Sequence, residues 1–257
     1  MDGLFNDNDY WLIKYNIAIN IIIITSSVVS SRRLLCRNRI KASLTYQVLF
    51  WHMRNFIIVG HKATTSPNFS LEDIPGTSGR LDILCRCINA AFVLSHGIRK
   101  DVNVYLILLG GETAKTICLK GETLRHLNPD ERTTAALLKK ALALAATTQW
   151  SMSTSGIFVR TGGLAEAIAD LKVERILYLR EDGADIRSFA CSGLSCDSAF
   201  ILGDHTGMTP DEETLIDQAG AKTVSLGPMS MHADHCIVLV NWMLDAAVIG
   251  DHDKQHD

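Results

Sequence analysis

From Met53 onward the chain repeats one pattern: a short apolar run, a glycine or polar turn, then a longer amphipathic stretch. The runs "RNFIIVG" (Arg54–Gly60) and "VNVYLILLGG" (Val102–Gly111) are short, apolar, rich in aliphatic side chains and stopped by glycine. That is the signature of a buried strand. Further strands are expected at "TICLK" (Thr116–Lys120), "GIFVR" (Gly156–Arg160), "RILYLRED" (Arg175–Asp182), "SAFILGDH" (Ser198–His205) and "AKTVSLGP" (Ala221–Pro228). Helical spacings lie between them. "RLDILCRCINAAFVLSHG" is closed by Gly97, and "NPDERTTAALLKKAL" has Asn128 as N-cap and Pro129 at its first position, ending near Trp150. "LAEAIADLK" (Leu164–Lys172), the capped "TPDEETLIDQAG" (Thr209–Gly220) and "HADHCIVLVNWMLDAAV" complete the set. Strands alternating with helices predict an α/β domain over residues 53–248, built on a mostly parallel sheet flanked by helices, with a solvated tail at 249–257.

Residues 1–52 do not fit this pattern. "IAINIIIITSSVV" (Ile17–Val29) precedes Arg32, Arg33, Arg37 and Arg39, which imitates a membrane segment with positive flanks. Asn16 and Asn20 interrupt the run, and the 19 residues from Trp11 to Val29 have Lys14 inside them, which is the low limit for a span. A signal peptide would carry its charges before the apolar run, not after. The segment is expected to lie outside the working domain, with Met53 as an alternative start. An anchored protein is the competing reading, and entry into a membrane is not expected.

The chain carries a net charge of −3, yet the charge is unevenly spread. Met53–Trp150 holds 12 basic against 8 acidic residues, and Ser151–Asp257 holds 7 against 17. A basic face on an acidic protein is compatible with that, as are two unrelated solvated surfaces. Seven cysteines is an odd number, and Cys85 and Cys87 are too close to bridge each other, so a reducing compartment is expected. Cys85-x-Cys87 and Cys191-x4-Cys196 lack the C-x2-C spacing of zinc ribbons and suit structural thiols.

"GPMSMHADHC" (Gly227–Cys236) poses the functional question. His232 and His235, or His232 and Cys236, stand at helical spacings that let two side chains face one ion, with Asp204 and His205 as further donors. No H-E-x-x-H, G-x-G-x-x-G or G-x4-G-K-[ST] accompanies them. The other reading is a main-chain device. "SLGPMSM", "ILGDHTGM" and "LYLREDG" each leave a strand through a glycine turn, at the sheet edge where α/β proteins bind ligands. Three such exits suit an adenosine-sized ligand held by backbone groups.

Five stretches carry a resemblance: "PGTSGRLDILCRC", "SHGIRKDV", "LNPDER", "FILGDHTG" and "VSLGPMSMHADHC". In this order, across Met53 to about Asp245, the chain resembles the archaeal tRNA pseudouridine-54 N1-methyltransferases. These belong to the SPOUT class of S-adenosyl-L-methionine-dependent enzymes with a C-terminal trefoil knot. More distantly it is similar to ribosomal RNA pseudouridine N1-methyltransferases. The resemblance implies a cofactor pocket made of three knotted loops, at Leu179, at Gly203 and at Leu226, Gly227, Pro228, Met229, Ser230 and Met231, with Cys236 on the helix behind. It implies tRNA as substrate, a homodimer, a cytoplasmic setting and no metal, His232 and His235 becoming part of the pocket wall.

Methyl transfer is an in-line displacement that chiefly needs alignment, plus an acceptor for the N1 proton. Asp82 is the first candidate for gripping the uracil-like edge, with Arg80 beside it, and Asp204 the second for the proton. The alternative for Asp82 is a helix first-turn carboxylate placed for the dipole. Arg80, Arg86, Arg99 and Lys100 are expected to form the RNA face. The apolar residues Ile237, Val240, Trp242 and Met243 of the last helix are expected at the dimer surface, although a core helix would look the same. Two other functions compete: a metal-dependent hydrolase using His205, His232, His235 and Cys236, and a non-catalytic RNA-binding member of the same fold.

Overall fold

In the computed structural model, residues 52–190 and 197–253 are described, the side chains of residues 190 and 248–253 excepted. The expectations for residues 1–51, for Cys191 and Cys196 and for residues 254–257 lie outside the described residues.

Arg54–Gly60 (β1) is buried at every position, with Phe56 and Ile58 in one core cluster and Ile57 and Val59 in another. A strand sends successive side chains to opposite faces, so burial on both requires a layer on each side of the sheet. After β1 come the single turn α1 (Ile74–Thr77), α2 (Leu81–Phe92), the short β2 (Val93–Leu94) and β3 (Gly97–Ile98), β4 (Val102–Leu108) and β5 (Lys115–Lys120). Next are α3 (Glu131–Leu142), β6 (Ser151–Thr154), β7 (Ile157–Thr161) and α4 (Leu164–Ala169). The order ends with β8 (Arg175–Asp185), α5 (Arg187–Ala190), β9 (Ser198–Gly203), α6 (Pro210–Gln218), β10 (Lys222–Ser225) and α7 (Ala233–Asp253).

The main sheet runs β10-β8-β9-β1-β4-β5-β7-β6. From β10 to β4 all neighbours are parallel, and β5, β7 and β6 continue antiparallel. The antiparallel wing has a simple cause. Only residues 109–114 join β4 to β5, too few for the crossover that a parallel partner needs. On one face α2, α3 and α7 supply Leu84, Ile88, Leu138, Ile237 and Val240 to the larger cluster. On the other, α4 and α6 supply Leu164, Ala167 and Ile216. Each fully buried aliphatic side chain contributes about 1.5–3 kcal/mol.

Several boundaries depart from expectation. Asp130, not Asn128, caps α3, its side chain accepting from Thr133 N at 2.8 Å, so Pro129 precedes the helix. α3 stops at Leu142, well short of Trp150, because the following chain is claimed by the sheet: Thr161 N donates to Thr147 O at 2.7 Å and Ser151–Thr154 pairs with β7. α2 ends at Phe92, since Val93 and Leu94 pair with Ile98 and Gly97 in a hairpin, and Gly97 therefore terminates no helix. Ile237 and Val240 are fully buried in the core and cannot present a dimer surface, whereas Trp242 is 67% exposed.

The first strand and last helix are stapled together. Arg54 Nη1 donates to Asn241 O at 3.2 Å and Oδ1 at 3.0 Å, and Nη2 to Asp245 Oδ1 at 2.7 Å. Arg99 donates to the same carboxylate, so Asp245 joins β1, the segment before β4 and α7.

Candidate active site

Because β8, β9 and β10 are parallel neighbours of one sheet, their C-terminal ends open on the same edge, where ligands of open α/β sheets bind. A cleft of about 840 Å³ lies there. Its walls are Tyr178–Glu181 from β8, Leu202–Met208 from the end of β9, Leu226, Gly227 and Met229–Ala233 after β10, Cys236 of α7, and Arg80, Ile83 and Arg86 at the start of α2. The local backbone explains the β8 wall. The partners of β10 jump from Tyr178 to Ala184, leaving residues 179–183 out of register. The strand rejoins β10 at Ala184, and at the neighbouring Gly183 a Cβ would come within 2.5 Å of the Val224 backbone, so glycine is required for the approach.

Of the residues expected to hold the cofactor, Leu179, Gly203, Leu226, Gly227, Met229, Ser230, Met231 and Cys236 line this cleft, and Pro228 does not. Arg80 and Arg86 line it as well. Arg99 and Lys100 are placed elsewhere: Arg99 pairs with Asp245, and Lys100 Nζ donates to Leu124 O at 3.2 Å. Glu181, Thr206 and Met208 also line the cleft; they lie within the strand exits "LYLREDG" and "ILGDHTGM" but are not among the residues expected individually at the site.

The α2 entrance is a charged assembly. Arg80 sits in the left-handed region, φ 71°, and aims its guanidinium back at Asp82, Nε to Oδ1 at 3.0 Å and Nη2 to Oδ2 at 3.1 Å. A non-glycine residue pays strain in that conformation, and the bidentate pair opposes it. Arg86 Nη1 donates to Asp82 Oδ2 at 3.2 Å and to Glu131 Oε1 at 3.3 Å. Burial alone would raise the Asp82 carboxyl, yet the hydrogen bonds and charge of Arg80, then of Arg86, hold it below the usual carboxylate range. Asp204 is similar. Its oxygens accept from His61 N at 2.9 Å, Thr206 N at 2.8 Å and Thr206 Oγ1 at 2.5 Å. Burial again pushes upward, but Thr206 and His61 prevail and hold it low. Both carboxylates are anchors of low basicity, because a group bonded by several donors in its charged form gives that form up reluctantly.

Among the described residues no cluster of three or more His, Cys, Asp or Glu side chains has a metal-holding arrangement. The His232 and His235 rings stack on each other, centroids 5.5 Å apart. Burial and the nearby Glu181 and Asp234 charges push the Cys236 thiol to about 11, far from thiolate. The hydrolase alternative gains no support. The cleft does fit an adenosine-type sulfonium: apolar Leu179, Leu202, Leu226 and Met231 offer contact for a purine. Glycine turns bring main chain to the wall, and Glu181 supplies negative charge for a cationic centre.

Residues 53–249 match the protein family described as "Putative SAM-dependent RNA methyltransferase", and the chain belongs to it. The structure is similar to Archaeoglobus fulgidus Nep1 bound to S-adenosylhomocysteine, with a TM-score of 0.53 over 77% of this chain and 99% of that one; at 17% identity the likeness shows the fold, which is SPOUT-like. Closer in sequence are proteins named tRNA (pseudouridine(54)-N(1))-methyltransferase. That of Methanococcoides burtonii is 50% identical over 77% of this chain and 98% of its own length, and that of Methanosarcina mazei 50% over 76% and 92%. Methanococcus vannielii has a 42% identical one covering 75% and 98%. Within the wider family, the chain's place is with these tRNA (pseudouridine(54)-N(1))-methyltransferases.

Proposed function

We propose that this chain transfers the methyl group of S-adenosyl-L-methionine to N1 of pseudouridine at position 54 of the tRNA T-loop. The single observation that carries this is the meeting of the β8, β9 and β10 exits with the Arg80–Asp82–Arg86 assembly on one cleft. When bound, the cofactor supplies an electrophilic methyl carbon on a sulfonium. Leu179, Gly203, Leu226, Gly227, Met229, Ser230, Met231 and Cys236 hold it; the main chain of the three turns grips the adenosine, and Glu181 faces the positive charge. Arg80 and Arg86, fixed by Asp82, take the uracil-like edge or its phosphate, since a guanidinium fork pairs with carbonyl and phosphate oxygens in set geometry. Orientation is therefore the main service of these residues. Asp82 and Asp204 are both held below the usual carboxylate range, and Asp204 on the cleft wall, or a water held by it, accepts the N1 proton.

The C-terminal trefoil knot and the cytoplasmic setting belong to this proposal, as does a homodimer. Val238, Leu239 and Trp242 support the dimer: they expose an apolar strip on α7, whose opposite face is in the core. Among the described residues no helix is long and apolar enough to cross a membrane. The test is incubation of T-loop RNAs carrying uridine or pseudouridine at position 54 with methyl-labelled cofactor. Label in the pseudouridine RNA alone is expected. Label in both, or RNA binding without label, refutes the assignment.

A further inference from the structure

His61, on the turn after β1, does not line the cleft, yet it touches the part of the cleft wall that follows β9. Its main-chain N–H donates to Asp204 Oδ2 at 2.9 Å. Its Nδ1 lies 3.4 Å from Asp204 Oδ1 and 3.1 Å from Thr206 Oγ1. Its Nε2 lies 3.1 and 2.9 Å from the two carboxylate oxygens of Glu212. Glu212 in turn accepts from Thr209 N at 2.8 Å and Thr209 Oγ1 at 2.9 Å, capping α6. One ring thus spans a carboxylate on the cleft turn and a carboxylate on the helix behind it. A neutral imidazole has one N–H and leaves its other nitrogen as a lone pair, whereas the imidazolium donates from both. Two flanking carboxylates call for the second form.

We infer that His61 is a positioning residue for the cofactor, its ring latching the turn Gly203–Met208 to the start of α6 and so holding that wall of the cleft in its binding shape. This rests on the methyltransferase proposal and deepens it. Without the latch, the turn keeps its own Gly207 N to Asp204 O bond at 3.1 Å and the Thr206–Asp204 contacts, but among the described residues no other ion pair ties it to α6. The charged and titratable groups around the ring are Asp204 and Glu212 in contact, His205 with Nδ1 3.9 Å from Asp204 Oδ1, and Lys62 next in the chain. Burial works against charging His61, but the hydrogen bond and charge of Glu212, followed by those of Asp204, raise it above the ordinary 6.5. Asp204 and Glu212 are lowered and stay anionic throughout. A raised folded value means that the latch is complete below 6.5 and is lost as pH rises through the higher folded value.

The experiment measures S-adenosylhomocysteine binding to the full chain by calorimetry between about pH 6 and 9, with the His61 ring titration followed by NMR in the ligand-free protein. The dissociation constant is expected to rise about tenfold over that range, and the ring to titrate above 6.5. His61→Gln, which keeps a donor but no charge, is expected to bind about tenfold more weakly at about pH 6 and with a flat pH profile. In methyl transfer it raises the cofactor KM and leaves kcat at saturation within about twofold. A pH-independent dissociation constant in the unaltered chain, or a ring titrating below 6.5, overturns the latch even if the variant fails to fold. Absence of binding at every pH overturns the methyltransferase proposal itself, a different outcome from binding that ignores pH.

Discussion

Asp82→Asn isolates the charge at the α2 entrance while keeping the shape of the side chain. The carboxylate is 3% exposed and accepts three hydrogen bonds from two cations, at 3.0, 3.1 and 3.2 Å. A hydrogen bond to a charged group is worth about 1.5–3 kcal/mol net. Arg80, however, is 43% exposed, so water replaces much of what it loses and its pair counts at no more than about 1 kcal/mol. Arg86 is 32% exposed and keeps Glu131, so its bond to Asp82 counts at the low end, about 1.5 kcal/mol. Adding the amide NH2 turned toward a guanidinium, the loss comes to about 3 kcal/mol, or roughly 6–12 °C in Tm for a domain of this size. Asp82 is a depressed carboxyl, so its contribution is present above the unfolded value of 3.8 and is lost as pH falls through the lower folded value. Thermal unfolding of both proteins at neutral pH and at several acidic pH values measures this. The gap is expected to be full at neutral pH and to narrow only below 3.8. Methyl transfer is expected to fall about a hundredfold, since a guanidinium displaced by an ångström no longer aligns the base. A Tm change under about 2 °C, or a gap unaltered by acid, would refute the reasoning.

The two faces of α7 separate folding from assembly. Ile237→Ala opens a cavity in the core and is expected to cost about 2–4 kcal/mol by denaturant unfolding, whereas Val238→Ala on the exposed face, measured at a concentration low enough to keep the chain monomeric, stays within about 0.5 kcal/mol. Equal losses would show that both residues are in the core. Trp242→Glu puts a charge on the proposed dimer strip and is expected to yield monomers in analytical ultracentrifugation with an unchanged melting curve at low concentration. A dimer that survives it places the interface elsewhere.

The sheet was legible because its strands are apolar on both faces and their periods differ from those of the helices. The three strand exits were legible for the same reason: strand, glycine and polar turn follow one another in plain order, and they do meet on one cleft. What escaped was set by pairing across the chain. "SMST" (Ser151–Thr154) has no strand-like composition and becomes β6 only because β7 offers it an edge. Asp130 took the cap from Asn128 because its oxygen reaches Thr133 N, a choice that depends on where the helix axis settles. His61 was invisible since its partners lie 143 and 151 residues away, and no spacing rule spans such distances. Arg99, expected on the RNA face, pairs with Asp245 away from the cleft, a partner 146 residues off that no local pattern announces.

The clasp between Arg54 and the residues Asn241 and Asp245 bears on how the molecule comes into being. Leu226 to Ala233, one wall of the cleft, runs directly into α7, and α7 is secured by a residue made some 187 positions earlier. On the ribosome the opening strand must wait, its guanidinium unpartnered on that side, until almost the whole domain has emerged. A nascent or prematurely ended chain that lacks the last helix has every strand of the sheet but no closed wall. The cleft therefore takes shape last, when α7 reaches Arg54.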